Sequence, residues 1–217
     1  MPGKRNVDCR ERLLDAADRL MWARGYEAVG VAELCAEAGA PRGSFYYWWP
    51  SKQALTLAML DRAWDRSRRM LFARFEDLST GFAGQLDAYC DALVANLQRA
   101  RADCAGVNGC RFGNFAAELG ARDPEIRAAV DGVFREMCAI VAGALRRAVD
   151  AGELAADLDA DDAAEALCAH MEGLMILAKA RNEPELVARL RADGRRLVGL
   201  APAAPKIAKT DRRGVTP

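Results

Sequence analysis

Between Gly39 and Lys52 the chain reads GAPRGSFYYWWPSK, an unbroken run of aromatic rings held between Arg42 and Lys52 beside a glycine turn. Cationic groups next to hydroxylated rings can recognise a polyanion. Arg42 can donate two parallel hydrogen bonds to a guanine edge or grip a phosphate. Gly43 has no side chain to hold a phosphate backbone away, and Ser44 donates and accepts over a short reach. On a helix Phe45 and Trp49 share a face, which makes them the core pair. Tyr46 and Tyr47 then point elsewhere, with hydroxyls suited to phosphate oxygens. Lys52 adds a cation beside the N-terminal dipole of the following helix, itself a phosphate site. The plain alternative, a core that takes all the rings, requires two adjacent tyrosines to face inward from one short helix. A second candidate is Cys110, just after Gly109 and near a helix start, where a thiol's pKa falls and thiolate becomes available. Its plain alternative is a small packed side chain.

These residues need a frame, and nearly all of it reads as helix, since strand-like alternation is absent and Ala, Leu, Arg and Glu dominate. Apolar residues recur at helical spacing from Asp8 to Arg24, and Gly25 ends the run. Gly30 caps a short helix over 31–38, Pro41 opens another to Trp49, and Ser51 caps a long one to Phe75. Helices are expected further on at 82–102, 110–119, 124–150, 160–181 and 184–199. Ile126, Ala129, Val130, Val133, Phe134, Met137, Val141 and Leu145 form one stripe on the third of these. The fold class is therefore all-α. A helix, a glycine turn and a second short helix within 31–49 describe a helix-turn-helix, whose second helix enters the major groove. The expected division is a DNA-binding domain over 1–52, an effector-binding and dimerisation domain over 53–200, and a disordered tail over 201–217.

Composition narrows the function. With 31 basic and 31 acidic side chains the formal charge is zero, so indiscriminate coating of nucleic acid is excluded while a local basic face is not. Lys4 and Arg5 precede the first helical run and read either as an arm along DNA or as a solvated terminus. No apolar run reaches the ~18 residues of a membrane helix, and the charged N-terminus is no signal peptide, so a cytoplasmic protein with no membrane partner is expected. The seven cysteines show no CxxC pair and no zinc-ligand spacing. His170 is the single histidine, and no GxSxG, GxGxxG or Walker loop is present. No catalytic residue, metal or cofactor is therefore expected. A cysteine-dependent enzyme and an all-helical interaction module are the competing readings, and the second leaves 39–52 unexplained.

The run GYEAVGVAELCAEAGAPRGSFYYWWPSKQAL resembles the tetracycline-repressor (TetR) family in its glycine-aromatic, short helix, alanine-glycine turn, glycine-serine-aromatic-tyrosine and serine-lysine order. That resemblance implies a homodimeric repressor on double-stranded operator DNA, released by a small-molecule effector. It also implies that Tyr46 and Lys52 contact phosphate and that Arg42, Ser44 and Tyr47 face the groove. Where the family often carries histidine and phenylalanine, this chain has Trp48 and Trp49. Further on, GCRFGNFAAELGARDPEIR followed by MEGLMILAKARNEP resembles a TetR subgroup that senses electrophiles and small unsaturated carbonyl compounds. By that likeness Cys110 and Lys179 belong to the effector site, in which Asn114 is also expected. Lys179 would favour thiolate by its charge or trap an oxidised sulfur, or else it only meets the helix dipole. The last two helices read as a dimer seam, with Leu167, Met171 and Leu174 on one face, Gly173 allowing close approach, and Leu190 following.

Overall fold

A computed structural model describes the backbone of residues 4–104 and 106–201, and side chains throughout these except at 4–7, 103 and 104. The expected disordered tail lies outside the described residues from 202 onward, and so do the side chains of Lys4 and Arg5. Among the described residues there are nine α-helices and no strand. They are α1 (Lys4–Arg24), α2 (Val31–Glu37), α3 (Arg42–Trp48), α4 (Lys52–Met70), α5 (Phe82–Cys104), α6 (Arg111–Leu119), α7 (Pro124–Asp150), α8 (Ala160–Arg181) and α9 (Leu190–Leu197). The all-α expectation holds.

Caps place the ends. Ser51 accepts from the Ala54 amide at 3.0 Å to open α4, and Asp123 and Asp159 accept from first-turn amides of α7 and α8. Two expected helices differ. The helix expected to reach Phe75 stops at Met70 and continues as a 3₁₀ turn over Phe72–Glu76, and Pro184–Arg189 is likewise 3₁₀. In a 3₁₀ turn residues three apart share a side. Phe72 and Phe75 thereby both reach the core, with ring centroids 5.3 and 5.1 Å from Tyr89. Pro184, Val187 and Leu190 are buried at the same interval.

α1, α2 and α3 pack on one another, and α4 packs against both α1 and α7. The α7 stripe lies inward as expected at Ile126, Val130, Val133, Met137, Val141 and Leu145, and it packs chiefly on α8. One continuous apolar core therefore runs from α1 to α9.

Candidate functional site

Helix α3 is held by Phe45, Trp49 and the half-buried Trp48, and leaves its opposite surface open. Phe45 is fully buried and Trp49 nearly so, 6.2 Å apart, and Arg10 lies over the Trp49 ring. Tyr46 and Tyr47 are 57% and 63% exposed. Arg42 and Gly43 are exposed at the first turn, and the Ser44 amide donates to Pro41 O at 2.9 Å. A β-carbon added at Gly43 would meet nothing within 4 Å, so internal packing places no demand for glycine there. Arg42, Gly43, Tyr46 and Tyr47 thus share an open surface, while Trp48 is half-buried with its ring edge against Tyr47.

Lys52 does not join that surface. Its ammonium donates to Tyr26 O at 3.1 Å and Val29 O at 3.2 Å and sits 3.8 Å over the Tyr26 ring. Carbonyls in the turn after α1 lack helical partners, and this amine satisfies two of them. The placement corrects the expectation of a cation turned outward to phosphate.

The segment around Cys110 has an inner and an outer side. Gly109 adopts φ +71°, with Lys179 Cδ and Met175 O each within 3.4 Å of where a β-carbon would stand. Cys110 caps α6, its Sγ accepting from the Gly113 amide at 3.4 Å. Inward, its thiol borders a cavity of about 50 Å³ lined also by Trp22, Tyr89, Met137, Met171 and Met175. Outward, Lys179 donates to Asn114 Oδ1 at 3.0 Å, and Asn114 donates to Asn108 O at 2.8 Å. Asn114 and Lys179 line a separate cleft of about 410 Å³ between α1 and α6. All three expected effector residues therefore lie close in the fold, but in two different cavities.

The thiol's acidity also differs from expectation. Burial pushes the Cys110 pKa well above the ordinary value, and the Glu172 carboxylate beside it pushes the same way. The amides of the α6 N-terminus oppose this and lose. Burial first and then Glu172, rather than Lys179, act on the sulfur, and both favour the protonated thiol over the expected ready thiolate.

Sequence reasoning missed the wiring from this segment to α1. The Trp22 indole donates to Gly109 O at 3.1 Å, and the Arg111 guanidinium lies 4.2 Å over the same ring. Arg111 pairs with Asp18 at 2.5 Å, and Arg66 of α4 pairs with Asp18 at 2.6 Å. Further along α6, Glu118 accepts from the amides of Tyr26 and Glu27, both at 2.9 Å. The one available signal was Asp18, an acid directly following Ala17 on the apolar side of α1.

The dimer residues need a larger correction. Leu167, Met171, Leu174 and Leu190 are buried within the protomer, and of the expected set only Gly173 is exposed. Helix α8 has two apolar faces, and the larger side chains occupy the inner one. The outer face carries Ala166, Ala169, Gly173, Ile176, Leu177 and Ala180, with Ile176 66% exposed. His170 is half-buried beside it and meets Asp193 of α9 at 3.1 Å.

Comparison with known proteins decides the family. The description "Bacterial regulatory proteins, tetR family" matches residues 13–59, and "Tetracyclin repressor-like, C-terminal domain" matches 83–193. The chain belongs to the TetR family. Among TetR relatives it is 33% identical over 186 residues to the transcriptional regulator AcuR of Cereibacter sphaeroides, covering 81% of this chain and 78% of that one. A TetR regulatory protein from Rhodobacter sphaeroides superposes with a TM-score of 0.76 at 29% identity, over 86% of this chain and 97% of the other. The reduced form of NemR from Escherichia coli gives 0.70 at 26%, over 90% and 100%. As in other TetR proteins, an N-terminal helix-turn-helix precedes a helical C-terminal domain. These relatives are transcriptional regulators rather than enzymes, which removes the enzymatic alternative.

Proposed function

We propose that this TetR-family regulator is a homodimeric, cytoplasmic repressor that grips operator DNA through α3 and releases it when a small electrophile adds to Cys110. Residues 1–52 act as the DNA-binding domain and 53–200 as the effector and dimerisation domain. Arg42, Gly43 and Ser44 approach the base edges, while Tyr46 and Tyr47 reach the phosphates. Asn114 and Lys179 brace the Cys110 segment from its outer side. The exposed α8 face from Ala166 to Ala180 meets its counterpart in a second copy, since an apolar stripe of that length is normally covered.

One observation carries the reading: residues Gly109–Arg111 border the inner cavity and also hold α1 through Trp22 and Asp18. An adduct on Cys110 adds volume that a close-packed interior accommodates by moving helices. Helix α1 carries α2 and α3 with it, and two recognition helices must stay about 34–36 Å apart to read both half-sites. The similarity to NemR, solved in a reduced form, supports a thiol as the responsive group.

Fluorescence anisotropy on DNA flanking the protein's own gene tests this. The parent should bind that DNA specifically and let go after treatment with methyl vinyl ketone. Cys110→Ser should stay bound, and Cys138→Ser should be released as the parent is. Release of Cys110→Ser at the parental dose would show that another group is the switch, and absence of any specific DNA complex would sink the reading altogether.

A further inference from the structure

We propose that Glu172 and Tyr89 complete a three-residue reaction centre with Cys110, one that adds uncharged α,β-unsaturated carbonyl compounds and turns away their carboxylate analogues. The proposal rests on Cys110 being the sensor and assigns the groups that make its thiol react.

Glu172 and Cys110 converge on one point. Both flank Gly113, where an added β-carbon would overlap Glu172 Oε2 and lie 3.5 Å from Cys110 Cβ. Only a residue without a side chain leaves room for the carboxylate to reach the sulfur. Glu172 thus lies beside the Cys110 thiol, and its second carboxylate oxygen, Oε1, is buried with no partner among the described residues. A buried carboxylate without partners is unfavourable unless it has a task. Across the cavity the buried Tyr89 hydroxyl donates to the thioether of Met171 at 2.6 Å, with no other acceptor among the described residues. A thioether is a weak acceptor, so a carbonyl oxygen entering the cavity displaces it readily.

The chemistry follows from these positions. Cys110 sulfur bonds to the β-carbon of the unsaturated carbonyl as the C=C π bond breaks. The thiol proton passes to Glu172 and from there to the α-carbon, while Tyr89 donates to the carbonyl oxygen as enolate charge develops. The product is a thioether, with no net oxidation. This resolves the protonated thiol found above: no standing thiolate is needed when a base waits beside it. The same carboxylate, beside the sulfur, repels an anionic reagent.

The test is the rate of Cys110 modification in the full-length protein, read site by site by mass spectrometry. Glu172→Gln, nearly isosteric, should slow addition of methyl vinyl ketone about 100-fold. The parent should favour neutral iodoacetamide over anionic iodoacetate about tenfold more than free cysteine does, and Glu172→Gln should erase that excess. Tyr89→Phe should slow methyl vinyl ketone but not iodoacetamide, whose iodide leaves with no enolate to stabilise. In the parent, with no variant to fold, the rate should rise with pH as Glu172 ionises, at a pH above 4.5 because burial raises its pKa. Equal rates in parent and Glu172→Gln would overturn the proposal and leave Cys110 as sensor. An unreactive Cys110 in the parent would overturn both.

Discussion

The ammonium of Lys52 sits between two carbonyls and the face of Tyr26, and this changes what its removal should do. Lys52→Ala should lower stability by about 1 kcal/mol, from one donor lost to two part-buried acceptors. It should weaken operator binding only through that loosening, leaving the slope of log affinity against log salt unchanged in a titration; a drop of about one in the slope would restore Lys52 to a phosphate. Arg42→Ala should instead relax preference at one base pair by about 1–3 kcal/mol, read by competition with operator variants. Buried thiols make a separate prediction. Burial, with Asp87 and Asp91 beyond it, pushes the Cys90 thiol up to about 12 from 9.0 against the opposing Arg191. Above pH 9 the unfolded chain releases this proton while the folded one keeps it, so stability should fall as pH rises from about 9 to 12. The slope from this residue is at most about 1.4 kcal/mol per pH unit. Urea melts of Cys90→Ala across that range should be flatter than the parent's.

At the scale of elements, α6 is where the two halves of the chain meet. Trp22→Phe deletes the bond to Gly109 O but keeps a ring under Arg111. It should leave the fold and operator affinity near parental while raising the dose of electrophile needed for release. Gly113→Ala should push Glu172 off the sulfur at little cost in stability, since the overlapping atom ends a flexible side chain, and should slow Cys110 modification. A parental rate would contradict the tight approach described. These contacts also mark where the sequence stops being legible. Helix positions, the Phe45–Trp49 core pair and the outward Tyr46 and Tyr47 all follow from local periodicity, which any single helix displays. The inner face of α8 does not, because α8 is apolar on two sides and periodicity cannot say which side meets α7. Trp22–Gly109 and Cys110–Glu172 join residues more than sixty positions apart. Their pairing depends on how helices cross, so the family likeness pointed to Lys179 where the fold supplies Glu172.

The whole molecule should be a dimer whose seam is the outer α8 face. Ile176→Asp puts a charge into that seam without disturbing the protomer's core, since the side chain is exposed. Sedimentation velocity should show a shift from dimer to monomer with an unchanged helical spectrum, and operator binding should fall because a single half-site is left. A monomer in the parent would place the seam elsewhere. The open surface of α3 has a further consequence at this scale. Arg42, Gly43, Tyr46 and Tyr47 lie outward, with nothing within 4 Å of a β-carbon at Gly43, while Phe45, Trp49 and the half-buried Trp48 tie the helix to the core. Address and trigger are therefore separately inheritable. Substitutions at Arg42, Gly43, Tyr46 and Tyr47 can drift, or be swapped by an engineer building orthogonal gene circuits, with little penalty in folding and no retuning of the chemistry sensed near Cys110.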